Sequence, residues 1–142
     1  MVGAYLQNRN QIELVKKYDL KPFNLNVLDK KKTFVEKIVS LIRFSFANDY
    51  INSIASKARH FYDLYFLTKD GGIKSYIDSD NFIADFVDLV KHDQEAFDDP
   101  AGWRSKMIAQ SPLITNFNGI WNKIKAAYIK DLSNIVFTDL PD

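Results

Sequence analysis

The residues with the most chemical promise sit in one short segment, SKARHFYDLYFL at 56–67. Arg59 and Asp63 are four apart, so on a helix they share a face and can pair. Lys57 and His60 lie near that face, while Phe61, Leu64 and Tyr65 form the apolar side. A cation can hold a phosphate, and an ion pair can orient that cation. The same pair on a solvated surface is worth only about 0–1 kcal/mol and is then merely structural. Lys37 has the same two readings: a phosphate contact, or a long side chain with its stem buried and its ammonium in water.

Other constellations fail on spacing. Gly71-Gly72 followed by Asp78-Ser79-Asp80 imitates a glycine pair and paired magnesium-binding acids, but only five residues intervene and no strand follows. Asp78 to Asp88 fails as a calcium loop, because its sixth position is Ile83 where the sharp turn needs glycine. His60 and His92 are too far apart in sequence to suggest a ligand pair, and no Ser/His/Asp arrangement is recognisable. With no cysteine, thiolate zinc sites, iron–sulfur clusters, disulfide scaffolds and cysteine nucleophiles are excluded together.

The elements that must position these residues read as helices. The spacing predicts a short helix over 8–18, ended before Pro22, and at most a short strand at 25–28. Thr33 and Glu36 form a capping box for a helix over 33–47, with Phe34, Ile38, Leu41 and Ile42 inward. A second helix is expected over 49–55 and a third over 57–69, the latter closed by Gly71 and Gly72. Residues 81–97 repeat Phe82, Ile83, Phe86, Leu89, Val90 and Phe97 at helical spacing behind an Asp80 or Asn81 cap. Residues 99–102 read as a turn, and a last helix covers 116–133 with Ile120, Ile124, Ala127, Tyr128 and Leu132 inward. The expected fold class is mainly α: a bundle-like domain of five to six helices in one 142-residue unit.

Composition fits that unit. Apolar residues make up 46% and charged ones 26%, which excludes a disordered chain. No apolar run reaches the roughly 20 residues of a membrane span, and no signal peptide opens the chain, so a cytoplasmic protein is expected. The net charge of +1 hides a split: residues 1–69 hold 12 Lys/Arg against 6 Asp/Glu, residues 70–142 hold 7 against 12. The basic first half is compatible with a phosphate-bearing partner; the halves can equally neutralise each other.

TFVEKIVSLIRFSF at 33–46, then SKARHFYDLYFL at 56–67, then GIWNKIKAAYIKDLSNIVF at 119–137 resemble the C-terminal helical half of the AbiEii/AbiGii-type nucleotidyltransferase toxins. The likeness runs from about residue 18 to 137. It implies a catalytic pair, Lys37 and Asp63, and substrate-binding Arg59, Arg43 and His60. Position 60 departs from the family, many of whose members have Asp there. The resemblance further implies a nucleoside triphosphate, Mg2+, an RNA (often transfer RNA) or protein acceptor, and a cognate antitoxin. In that family a polymerase-beta-type domain carries the glycine turn and metal-binding acids, which are not legible in this chain. Residues 1–30 are therefore expected to be the remnant of, or bridge from, such a domain, and 31–137 the helical core, inactive without it. The competing expectation is a non-catalytic helical interaction module, with Lys37, Arg59 and Asp63 structural.

Overall fold

Asp29 opens the first helix of the computed structural model, which describes residues 29–133 and, outside them, only Lys17. The described residues form seven α-helices and no strand, as a mainly α chain should. They are α1 (Lys30–Phe44), α2 (Tyr50–Ala55), α3 (Ala58–Leu67), α4 (Gly71–Ile77), α5 (Asp80–Ala96), α6 (Pro112–Thr115) and α7 (Phe117–Leu132). Two 3-10 turns, Trp103–Ser105 and Ile108–Gln110, join α5 to α6. The helix expected over 8–18 and the strand at 25–28 lie outside the described residues, apart from Lys17.

Three local expectations are corrected. Helix α1 starts ahead of the Thr33–Glu36 box, because Asp29 accepts from the Lys31 N–H at 2.7 Å and caps first. Thr33 instead sits in the first turn, its hydroxyl donating to the Asp29 carbonyl. Gly71 and Gly72 do not close α3; they open α4, capped by Asp70, which accepts from the Ile73 N–H at 3.0 Å. Gly72 is needed there for close approach, since a Cβ would lie 3.0 Å from Asp70 Oδ1 and 3.6 Å from Lys30 Nζ. That approach lets Lys30 Nζ reach Asp70 at 2.6 Å and tie the start of α1 to the start of α4. Finally, α5 begins behind Ser79, and its apolar stripe is only partly covered: Val90 is buried, while Ile83 and Phe97 face solvent.

Helix α1 is the central element. Phe34, Val35 and Val39 pack with Ile73, Tyr76 and Val90 from α4 and α5. Leu41 joins Ile54, Ile120 and Ile124, so the same helix also anchors α2 and α7. Ala58 of α3 packs with Tyr128 and Leu132 of α7. Each such buried aliphatic contributes about 1.5–3 kcal/mol relative to exposure, and together they fix α3 between α1 and α7. Buried Ser45 donates to the Ile42 carbonyl at 2.6 Å and ends α1; its oxygen meets Ser111 at 2.7 Å, which ties α1 to α6. No helix among the described residues is long and apolar enough to cross a membrane.

Candidate functional site

Lys37 projects from the edge of the apolar face of α1, one turn from Phe34 and one from Leu41. Its stem packs between helices and its ammonium crosses to α3, where Nζ donates to Asp63 Oδ2 at 2.6 Å. The lysine side chain is 19% exposed and the aspartate 41%, so solvent reaches the pair from the Asp63 side. Lys37 therefore satisfies the buried-stem expectation, but its charge is committed to a carboxylate rather than dissolved in water. The pairing partner differs from the one that the four-residue spacing suggests. Asp63 is taken by Lys37 from another helix, and Arg59 stays exposed on the outer face of α3.

His60 stands one turn before Asp63. Its Nδ1 is buried and has no hydrogen-bond partner. Burial, then the positive charges of Lys37 and Lys57, push its pKa below the usual imidazole value, with Asp63 pulling the other way. The ring is thus neutral at neutral pH and keeps an unmet hydrogen-bonding nitrogen. The Lys37 and Asp63 charges both act on it, although no hydrogen bond joins its Nδ1 to either.

His60 also faces outward, into a cleft of about 640 Å³ lined by Ser56, Lys57, Ala58, Arg59, His60, Lys130 and Asp131. The cleft lies where the start of α3 meets the last turn of α7. Lys57, at the N-cap of α3, makes no side-chain cap there, and its carbonyl accepts the His60 N–H at 2.8 Å. Its ammonium instead sits 4.4 Å over the Phe44 ring. Lysines 57 and 130 and Arg59 oppose one acid, Asp131, giving a wall suited to an anion. The ion pair forms no part of this lining; its charges act on His60, which does.

Arg43 is placed elsewhere. Its guanidinium lies 4.3 Å from the Phe97 ring and 4.9 Å from Phe44, with Asp93 at 3.6 Å. Asp93 also accepts the Trp103 indole N–H at 2.8 Å. So Lys37, His60 and Asp63 come together, Arg59 shares the cleft with His60, and Arg43 does not join them. Lys130 and Asp131, which sequence reasoning did not single out, complete the wall; the only signal was a basic last turn on α7.

The described residues do not fit a magnesium ion. That ion needs a near-octahedral set of oxygens, usually around one or two carboxylates. Asp63 is already neutralised by Lys37, and Glu36, Asp85 and Asp88 line a separate groove with Lys32 and His92. No group of three or more His, Asp or Glu side chains among the described residues is placed to hold a metal.

Among known families, the sequence model described as "Nucleotidyl transferase AbiEii toxin, Type IV TA system" matches residues 4–139. No curated protein and no solved structure matches the chain.

Proposed function

We propose, from the premise that this chain belongs to the AbiEii family of nucleotidyl transferase toxins, that its helices form the wall that holds a nucleoside triphosphate for transfer. The single observation behind this reading is the Lys37–Asp63 pair at 2.6 Å, whose charges act on His60, a residue of the cationic cleft lining. An ammonium carries three N–H donors, and Asp63 engages one while fixing the direction of the others. Phosphate oxygens would meet Lys37 from the solvent-reached side, with Arg59 as a forked second donor. Neutral His60 would accept or donate one hydrogen bond without adding charge. Asp63 is the positioning partner of Lys37, holding it where a free lysine would sweep many rotamers.

Transfer itself asks for more. An acceptor hydroxyl attacks the α-phosphorus, its proton passes to a base, and the bond to the leaving pyrophosphate breaks. The developing charge is spread over phosphate oxygens and is normally neutralised by metal ions. The side chains described above do not supply the carboxylates for such ions. In this reading the helices bind and orient the nucleotide, and a metal-binding domain of the polymerase-beta type completes the reaction. The acceptor is RNA, transfer RNA included, or a protein, and a cognate antitoxin restrains the whole. A non-catalytic interaction module draws support from one feature: the Lys37–Asp63 pair is closed, with no third group coordinated by it.

Titration of the full chain with each of the four ribonucleoside triphosphates in a calorimeter tests the proposal. Binding should weaken at least about 10-fold in Lys37→Met, the loss of one charge-assisted hydrogen bond. Equal binding by Lys37→Met would defeat it. Labelled nucleotide should not pass to RNA or protein when this chain alone is present; transfer would show that the helices are self-sufficient.

A further inference from the structure

The outer face of α3 carries a feature that triphosphate binding leaves unused. Tyr65 and Phe66 are 40% and 45% exposed, unusual for neighbouring aromatic residues on a helix. Their rings meet edge to face at 5.2 Å and 84°, and Phe66 also packs on Tyr62 at 4.7 Å. Tyr62 rests on the buried cluster of Ala58, Tyr128 and Leu132, so the ridge stands on a firm base. At 100° per residue, Arg59, Tyr62 and Phe66 form one stripe along α3, with Tyr65 on its flank and Lys69 in the turn just beyond the helix end. The stripe starts at the cationic cleft, where Arg59 lies, and leads to Lys69, whose ammonium is 4.5 Å from the Tyr65 ring.

We propose that this ridge is a stacking platform for the unpaired bases of a single-stranded polynucleotide whose backbone runs from Lys69 to the Arg59 cleft. It deepens the proposed function by giving a polynucleotide acceptor a docking surface on α3, and rests on that reading only for the direction of the strand. From Arg59 to Phe66 the helix rises about 10 Å, which matches about three stacked nucleotides at ~3.4 Å each. Aromatic faces stack with any base, and cations at both ends follow the backbone. The acids nearby are already engaged: Asp63 with Lys37, and Asp70 with Lys30. Asp131, across the cleft, is outnumbered by Lys57, Arg59 and Lys130. That charge balance favours a polyanion over an apolar peptide or a second copy of this chain.

The discriminating variant is Tyr65→Leu with Phe66→Leu, which keeps the ridge apolar and removes both π faces. Fluorescence anisotropy of a labelled single-stranded oligoribonucleotide of about eight residues should show an affinity loss of at least about 10-fold. Tyr65→Phe, which keeps the ring, should bind as the wild type does. Thermal unfolding checks that both variants fold. Three results would overturn the platform: unchanged binding by the double leucine variant, equal affinity of the wild type for duplex or polyglutamate, or a wild-type dimer that this variant dissolves. Triphosphate binding measured on the same variants separates the two ideas, because the ridge can hold while the triphosphate reading fails, and the reverse.

Discussion

Lys37 and Arg43 stand less than two turns apart on α1, and each meets an aspartate from another helix. Around Arg43 the packing is closed, although the guanidinium keeps one buried nitrogen, Nε, without a hydrogen-bond partner. Asp93 serves both the guanidinium and the Trp103 indole, Phe44 and Phe97 flank the cation, and Gln94 donates to the Trp103 and Lys106 carbonyls. Both members of that pair are about 15% exposed. Around Lys37 the partner is open to solvent, a neighbouring imidazole nitrogen is left unmet, and a cationic cleft adjoins. Each corner keeps one buried nitrogen unmet, so exposure is what separates them: a pair shut off from solvent on both sides holds a fold together, and a pair open on one side can meet a ligand.

The sharpest way to break this contrast is through stability. Trp103→Ala empties a fully buried indole site and should cost about 3–5 kcal/mol in urea unfolding; a loss below about 1 kcal/mol would deny the Arg43 corner its structural role. Asp93→Ala strands a largely buried guanidinium and an indole N–H, and should cost about 2–3 kcal/mol by the same assay. Asp70→Ala removes the cap of α4 and should lower the urea midpoint by less than Asp93→Ala does. Lys37→Met should cost no more than about 1 kcal/mol, since its partner is two-fifths exposed and well solvated. If Lys37→Met destabilised as much as Asp93→Ala, the two corners would be the same kind of tie.

The smallest effect is a pH slope. His60 titrates below its ordinary 6.5 in the folded chain, chiefly because of burial. Below pH 6.5 the unfolded chain therefore binds more protons than the native one, so stability falls as pH drops through that range. His60→Asn should flatten the slope between pH 7 and the native pKa, read from thermal midpoints across that window. An unchanged slope would move His60 out of the Lys37 and Lys57 field.

Much of this was readable before any coordinates. The helical class, the inward positions Ile120, Ile124, Tyr128 and Leu132 of α7, and Phe34, Leu41 and Ile42 of α1 follow from periodicity, whereas Val35 and Val39 are buried without having been singled out. What escaped has physical causes. Intrahelical spacing suggested Arg59 for Asp63, because a sequence shows the four-residue neighbour and hides a lysine reaching across from another helix. Gly71 and Gly72 suit a helix end as readily as a close-packed helix start, and only Lys30 crossing to Asp70 decides between them. Arg43 matches a motif by position, yet its environment is set by Phe97 and Asp93, fifty residues on. Lys130 and Asp131 join the cleft only through the packing of α7 on α3.

Two-dimensional NMR of the full chain, titrated with a ribonucleoside triphosphate, addresses the contrast at its root. The account predicts that the His60 imidazole signals shift on saturation, while the Trp103 indole N–H beside Arg43 stays where it was. Shifts at Trp103 with His60 unmoved would contradict it.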